Sequence, residues 1–305
     1  MKYTGENNLV APILIIGFNR PDLLKNVINS LRVIKPEKLY VHIDGPRSNN
    51  KNDDFLISEC MKEIEKVDWK TKVEIHKQEK NLGCMRAVVF AIDWAFEYET
   101  KLIILEDDIK FESSFIDFCN DQLSRNENNE KIMLISGYNP INSSLPTNSN
   151  NQNQVLFSSY PMVWGWATWK NQWKSYYEED PNLNLKKILL ILKKNNFNPV
   201  ATLYFTISLF QIQIGKLDTW DFQLYLSCLV SKRRVIIPIM SLTSNIGFRA
   251  DATHTKGADL RTLNKFKPAK NLDNTNFDPT YRKFLRKTLT RLILRRIKSM
   301  FKKIN

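Results

Sequence analysis

Three consecutive acidic residues, Glu106, Asp107 and Asp108, directly follow the apolar run KLIIL. Carboxylates this close together repel one another and resist ionisation unless a cation is present. Their oxygens suit Mg²⁺ or Mn²⁺, and such an ion can bridge a protein to a diphosphate. The triplet therefore predicts a divalent-metal site. The alternative left open is a solvated acidic turn that caps a helix.

The elements around the triplet alternate between strands and helices. Apolar runs at 11–18, 39–43 and 101–105 predict strands, and helical spacing of apolar residues occupies the intervals between them. This alternation predicts an α/β protein, a Rossmann-like three-layer α/β/α sandwich with a mostly parallel sheet. In such folds, ligands bind beyond the C-terminal ends of the strands, which is where the triplet lies.

Other polar residues follow predicted strand ends. Arg20 comes after the first strand and Asp44 after the second; their alternatives are a surface ion pair and an ordinary turn acid. The segment 80–86 precedes a predicted helix, where Arg86 could neutralise phosphate. The alternative there is a plain loop in which Asn81 or Gly83 serves the turn.

Tryptophan is concentrated in the segment 164–173. Its ring faces stack on the apolar faces of sugars, and Gly165 permits close backbone approach. We expect Trp164 and Trp166 to line a sugar and acceptor site. Trp169 and Trp173 are four residues apart, as on one helix face, which favours core packing.

Taken together, these blocks resemble the GT-A glycosyltransferases, and within them the N-acetylglucosaminyltransferase I type and its bacterial relatives. The similarity rests on Phe18-Asn19-Arg20 after the first strand, Asp44 after the second and Glu106-Asp107-Asp108 after a later one. It covers about residues 11–248, and the separate blocks fall in the family's order. It implies a GT-A fold and a metal-dependent transferase that uses a nucleotide sugar, with UDP-sugars such as UDP-GlcNAc expected.

The resemblance also implies roles for the nucleotide-binding residues. Arg20 would lie near the nucleotide or its phosphates, and Asp44 would accept a hydrogen bond from uracil. The loop that contains Asn81 and Arg86 would pack beside the diphosphate.

Within the triplet, the resemblance implies that Asp108 holds Mn²⁺ or Mg²⁺, that Asp107 faces the ribose and that Glu106 lies close to the donor sugar. A Gly-Trp segment occupies the place of Trp164-Gly165-Trp166 in the family, which implies that these residues belong to the sugar site.

Two further segments gain roles from the resemblance. The segment 218–221 is similar to the one that supplies the family's catalytic base, and we expect Asp221, with Asp218 second, to deprotonate the acceptor in an inverting transfer. Helix capping by either acid is the alternative. The family often has two adjacent acids here, whereas Phe222 follows Asp221. His254 would reach the metal or the diphosphate, unless it is structural or solvated.

Positive charge is concentrated at the C-terminal end of the chain. The net charge is +13, and residues 281–305 contain ten Lys or Arg and no acid, which leaves +3 for the rest. The body therefore does not predict a nucleic-acid partner. We expect a transferase domain over 1–260, then a linker and a basic amphipathic helix over 261–305 that contacts anionic lipid. A solvated tail or a helix that packs on a partner subunit remains open.

The composition limits the remaining possibilities. Four scattered cysteines predict neither a zinc knuckle nor a disulfide framework, and no apolar run is long enough to cross a membrane. We therefore expect a peripheral protein on the cytoplasmic face of the membrane. Its predicted role is sugar transfer to a glycan or lipid-linked acceptor in surface polysaccharide or lipopolysaccharide synthesis.

Two alternatives remain at this stage. One is a sugar nucleotidyltransferase, which normally has a glycine-rich loop after its first strand where this chain has only Gly17. The other is a non-catalytic glycan- or membrane-binding protein on a transferase scaffold.

Overall fold

The computed structural model describes residues 10–141, 155–177, 184–247, 275–276 and 278–301, with side chains of the last helix described to residue 290. Within these residues there are eleven strands and nine helices. The strands are β1 (Ile13–Gly17), β2 (Lys38–Ile43), β3 (Lys72–Lys77), β4 (Lys101–Glu106), β5 (Ile109–Phe111), β6 (Ile132–Ser136), β7 (Val155–Ser158), β8 (Trp166–Trp169), β9 (Arg234–Pro238), β10 (Thr243–Asn245) and β11 (Thr275–Asn276). The helices are α1 (Pro21–Ile34), α2 (Asn52–Glu65), α3 (Cys84–Tyr98), α4 (Ser113–Arg125), α5 (Lys170–Tyr176), α6 (Leu185–Lys194), α7 (Pro199–Gln213), α8 (Asp221–Ser231) and α9 (Asp278–Phe301).

A nine-stranded sheet forms the middle layer, in the order β11-β7-β9-β6-β8-β4-β1-β2-β3. Strands β3, β2, β1 and β4 run parallel, with Ile13 opposite both Leu39 and Ile103. Strand β8 is antiparallel to its neighbours β4 and β6. The α/β class with a mostly parallel sheet is therefore confirmed, and the architecture is compatible with a Rossmann-like fold.

Hydrophobic packing covers both faces of the sheet. Leu14 and Ile16 of β1 join one core with residues of α3 and α7, while Ile13 and Ile15 join a second core with residues of α1, α2 and α4. All five residues of β1 are buried. This explains why β1 is a continuous apolar run, because a strand covered on both faces has no solvent side on which to place polar residues.

A small second sheet lies immediately after the acidic triplet. Strand β5 pairs antiparallel with β10, and Asn245 stands opposite Ile109. The backbone N–H of Ile246 donates to the carbonyl of Asp108 over 2.9 Å. This pairing brings the chain near residue 245 to an acid 137 residues earlier in the sequence.

The C-terminal helix α9 is partly built into the body. Tyr281 and Leu289 are only 7% and 5% exposed, and Phe284 and Leu285 pack against the same core. Asp278 accepts hydrogen bonds from the N–H and Oγ of Ser159, both at 2.8 Å. The part of α9 from Asp278 to Leu289 thus packs on the core, and its apolar side faces α7. Among the described helices, none is long and apolar enough to span a membrane.

Candidate functional site

A cavity of about 490 Å³ lies where β1, β2 and β4 end. In the order β3-β2-β1-β4, the chain passes from β1 to β2 and β3 on one side, and then returns from β3 to β4 on the other side of β1. Open α/β sheets bind ligands at such a switch point. The predicted residues that line this cavity are Arg20, Asp44, Asn81, Glu106, Asp107 and Asp218. Sequence positions far apart are therefore brought to one cavity, as strand-end placement predicted.

Arg20 is the central cation of the site and contacts two of the three acids. Its Nη1 lies 3.0 Å from Oδ2 of Asp108, and its Nε lies 3.2 Å from Oδ2 of Asp107. Its Nη2 forms a further ion pair with Oδ1 of Asp107. Only 27% of the Arg20 side chain is exposed, so these contacts are shielded from water. The guanidinium thereby neutralises much of the acidic cluster.

Asp108 is enclosed by protein on both carboxylate oxygens. Besides the Arg20 contact, Oδ1 accepts a hydrogen bond from Nδ2 of Asn245 over 3.1 Å. A Cβ atom on Gly247 would lie 2.3 Å from Oδ2 of Asp108, so only glycine fits there. Asp108 is 8% exposed and is held from three sides.

Glu106 lines the cavity, as Asp107 does, but forms no hydrogen bond to Arg20; Asp108 contacts Arg20 and is not among the residues that line the cavity. Burial, followed by the charges of Asp108 and Asp107, raises the pKa of Glu106 to about 8, while Arg20 opposes this increase. Asp221 also contributes to this increase, so the two carboxyl groups are electrostatic neighbours. A carboxyl group in this state can donate a hydrogen bond at neutral pH.

Asp44 binds the loop that follows β3. Its Oδ1 accepts hydrogen bonds from the N–H groups of Gly45 and Leu82 at 2.8 and 2.9 Å. Its Oδ2 accepts one from Nδ2 of Asn81 at 2.8 Å. Burial raises the pKa of Asp44, and the backbone hydrogen bonds oppose that increase. The carboxylate therefore organises this wall of the cavity.

Asp218 caps helix α3. Its Oδ2 and Oδ1 accept hydrogen bonds from the N–H groups of Cys84 and Met85 at 2.7 and 2.9 Å. The preceding Gly83 has φ +83°, and a Cβ there would lie 2.5 Å from Asp218 Oδ2. Asp218 therefore performs the helix-capping alternative to its expected role as a base. Its carboxylate occupies the N-terminal end of α3, where an anion is favoured.

A second cavity of about 310 Å³ is mostly aromatic and contains Asp221. Its aromatic walls are Tyr138, Trp164, Phe205, Phe222, Tyr225, Tyr281 and Phe284. Asp221 begins α8, and its Oδ1 accepts hydrogen bonds from Thr219 Oγ1 and, at 3.0 Å, from the N–H of Phe222. Asp221 thus lies apart from Asp218, in the second cavity. Its charge is close enough to Glu106 to raise the pKa of that residue.

The tryptophan segment divides between the cavity and the core. Trp164 lines the aromatic cavity, with its ring centroid 4.3 Å from that of Tyr138. Trp166 is 1% exposed and stacks on Trp220 at 5.6 Å, so it packs in the core and does not take the sugar contact expected of it. The physical reason is that β8 lies inside the sheet, where both faces are covered.

Gly165, Arg86 and His254 are the remaining residues predicted to belong to the site. Gly165 has φ +75°, and a Cβ there would lie 2.8 Å from Cγ2 of Thr243, so its close approach is to protein and not to the cavity lining. Arg86 is exposed in the first turn of α3 and is not among the lining residues of the two cavities described. His254 lies outside the described residues.

Sequence reasoning missed Arg47 and Asn50, which line the first cavity. Arg47 is bound by Asp53, with Nε 2.7 Å from Oδ2, and its guanidinium lies 5.2 Å from the Phe18 ring centroid. Arg47 follows the end of β2 by four residues, so the strand-end rule that singled out Asp44 would have found it. It adds a second cation to the cavity wall.

The carboxylate oxygens of the site suit a hard divalent ion. Those of Asp108, however, already accept hydrogen bonds from Arg20 and Asn245. Among the described residues, no three Asp, Glu, His or Cys side chains are arranged as a ready-made metal site. Glu106 and Asp108 supply carboxylate oxygens of the right type. Such an ion therefore fits only if Arg20 releases Asp108.

No protein-family model matches the chain, and a search of curated proteins finds no match. The function proposed below depends on the cavities, on the charges that line them and on the resemblance in sequence.

Proposed function

We propose that the chain is a GT-A-type glycosyltransferase that binds a nucleotide sugar in the first cavity and an acceptor in the second. The observation that carries this proposal is the placement of Glu106. It lies in the first cavity at the β1/β4 switch point and is an electrostatic neighbour of Asp221 in the second. Glu106 in one cavity and Asp221 in the other, close enough for their charges to interact, suit the transfer of a group between two bound molecules.

The first cavity has the charges and shape that a nucleoside diphosphate requires. Arg20 and Arg47 supply cations for phosphate oxygens, and the carboxylate of Asp44 is the proposed acceptor for an N–H of the base. The amides of Cys84 and Met85 at the same wall are occupied by Asp218, so the proposal does not depend on them. We infer a UDP-sugar donor from the resemblance to the N-acetylglucosaminyltransferase I type.

Bound Mn²⁺ or Mg²⁺ would neutralise charge on the departing nucleoside diphosphate. Asp108 is the residue that we propose to hold the ion, with Glu106 beside it. Once Arg20 no longer contacts Asp108, its guanidinium is available to the diphosphate. Glu106 lines the first cavity and is the residue that we propose to contact the donor sugar.

The second cavity has the properties of an acceptor site. Its aromatic rings, among them Trp164, offer faces on which a sugar ring can stack. Asp221 is the acid that we propose to take the proton from the attacking hydroxyl. Attack from that side would give inversion at the anomeric carbon. A glycan or lipid-linked acceptor in surface polysaccharide synthesis is the proposed substrate class.

A panel of nucleotide sugars tests the proposal. Thermal unfolding and slow donor hydrolysis would be measured with and without Mn²⁺, for the wild type and for Asp108→Ala. Glu79→Ala is the matched control, because Glu79 is an exposed acid just after β3. We expect at least one donor to raise the melting temperature and release its sugar only with metal and only with Asp108 present. No stabilisation by any donor, or equal behaviour of Asp108→Ala, would contradict the proposal.

A further inference from the structure

Helix α7 exposes one apolar side to solvent. Leu203, Ile207, Phe210 and Ile214, the last directly after the helix, follow one another at steps of four, three and four residues. Their exposed fractions are 56%, 46%, 44% and 45%. This spacing places them along one side of the helix, while the other side buries residues in the core. A helix that is apolar on both sides has a second apolar surface to cover.

Helix α6 packs beside α7 and also exposes apolar side chains. Leu185, Leu189 and Leu190 are 45%, 43% and 52% exposed. Ile188 and Leu192 of the same helix face the core. The α6–α7 face is defined here as the seven exposed apolar residues, namely Leu185, Leu189, Leu190, Leu203, Ile207, Phe210 and Ile214. Monomeric proteins rarely leave so many neighbouring large apolar side chains in water unless they bind something.

The charged residues of α6 and α7 themselves are all basic, whereas three acids, Glu178, Glu179 and Asp180, precede α6 in the sequence. Between residues 184 and 217 the sequence contains five lysines and no acid, and Lys186, Lys187, Lys193 and Lys194 of α6 are exposed. Helix α9 packs against α7 and adds exposed Lys283, Arg286 and Lys287. An apolar surface that carries exposed lysines along its helices is complementary to an interface that is apolar inside and anionic at its edge.

We propose that the α6–α7 face is a membrane-binding surface that enters the interfacial layer of a bilayer containing anionic lipid. The exposed leucines, isoleucines and phenylalanine contact acyl chains, and the lysines contact headgroups. A second copy of the chain is a poorer occupant, because face-to-face pairing would bring two lysine borders together. The proposal concerns a surface separate from both cavities and does not depend on the transferase function.

Vesicle co-sedimentation of the full chain tests this surface. Vesicles of phosphatidylcholine alone are compared with vesicles that also contain phosphatidylglycerol. The triple variant Leu203→Gln/Ile207→Gln/Phe210→Gln should lower partitioning to the anionic vesicles by about tenfold or more. The matched control is Val33→Gln/Phe55→Gln/Val230→Gln, whose native residues are 79%, 61% and 55% exposed on α1, α2 and α8. This control should bind as the wild type does.

A wild-type measurement guards against misfolding of the variants. Hydrogen exchange of the backbone amides at 185–214 should slow when anionic vesicles are added, while exchange in α1 and α2 should not change. Unaltered exchange at 185–214, or wild-type partitioning by the triple variant, overturns the proposal. Equal binding to both vesicle types overturns the anionic requirement. Self-association that the triple variant abolishes, without vesicle binding by the wild type, assigns the face to a second copy instead.

Discussion

Nη1 of Arg20 lies 3.0 Å from Oδ2 of Asp108. The guanidinium thus occupies a position beside Asp108 where a divalent ion is expected to bind. Arg20 also binds both carboxylate oxygens of Asp107. The site therefore carries its own cation, and a metal must compete with Arg20 for Asp108. This competition links metal binding to the position of a residue that can reach phosphate.

The first prediction concerns Arg20→Met. Removing the guanidinium leaves Asp107 and Asp108 buried without their cation, which costs up to about 3–5 kcal/mol of unfolding free energy. Mn²⁺ should restore much of this loss, so the melting temperature of the variant should rise with metal more than that of the wild type. Arg47→Met is the control, since Arg47 pairs with Asp53 and not with the triplet. Equal metal responses of the three proteins would show that Arg20 and the ion do not compete.

The second prediction concerns the cap of α3. Asp218→Ala removes the acceptor for the amides of Cys84 and Met85 and should lower the unfolding free energy by about 1 kcal/mol. The freed helix end should then bind phosphate, so phosphate should stabilise this variant more than the wild type. Asn198→Ala removes the cap of α7 and should lose stability without gaining a phosphate response. An absent phosphate effect in Asp218→Ala argues against anion binding at this wall.

The third prediction separates Asp221 from Asp218 in catalysis. Asp221→Asn should reduce the rate of sugar transfer by about 10²–10⁴-fold, because general-base catalysis is lost. Donor affinity should be almost unchanged, since Asp221 lines the second cavity and not the first. Single-turnover kinetics over a range of donor concentrations measure the two quantities separately. Should Asp221→Asn transfer sugar at the wild-type rate, the base must be sought elsewhere.

The fourth prediction concerns a buried histidine pair. His42 is 0% exposed and stacks on His76 with ring centroids 5.4 Å apart. Burial, followed by the charge of the neighbouring His76, lowers the pKa of His42 to about 3. The folded protein therefore leaves His42 neutral at pH 5, whereas the unfolded chain protonates it below about pH 6.5.

Because the unfolded state binds this extra proton, acid favours unfolding. The free energy of unfolding should fall by about 2 kcal/mol between pH 7 and pH 5 on account of His42 alone. His42→Phe removes the titrating ring and should show a shallower loss over this interval in urea unfolding. The same slope in both proteins would mean that His42 titrates normally in the fold.

Much of the first cavity could be predicted from the sequence. Arg20, Asp44 and Glu106 each follow an apolar run, and neighbouring parallel strands bring such positions to one edge of the sheet. The placement of Asn245 beside Asp108 could not be predicted, because it depends on the pairing of β10 with β5 across 137 residues. Local sequence contains no information about which distant loop completes such a contact.

Trp166 and α9 show a second limit. Trp166 lies in β8, a strand that is covered on both faces. The residues next to it in the sequence do not reveal that this strand is central in the sheet. In α9, the spacing of Tyr281 and Leu289 is the same for a helix that packs on a protein core as for one that lies on a membrane. Tertiary packing decides between these outcomes, and α7 provides the partner surface.

A calorimetric titration tests the central claim most directly. The nucleoside diphosphate of the best donor would be titrated, at fixed Mn²⁺, into the wild type, Asp108→Ala and the Glu79→Ala control. The account predicts saturable binding at one site to the wild type and the control, and an affinity at least about tenfold weaker for Asp108→Ala. Absence of binding to the wild type, or equal affinity for all three proteins, would contradict the assignment of this cavity as a nucleotide-sugar site.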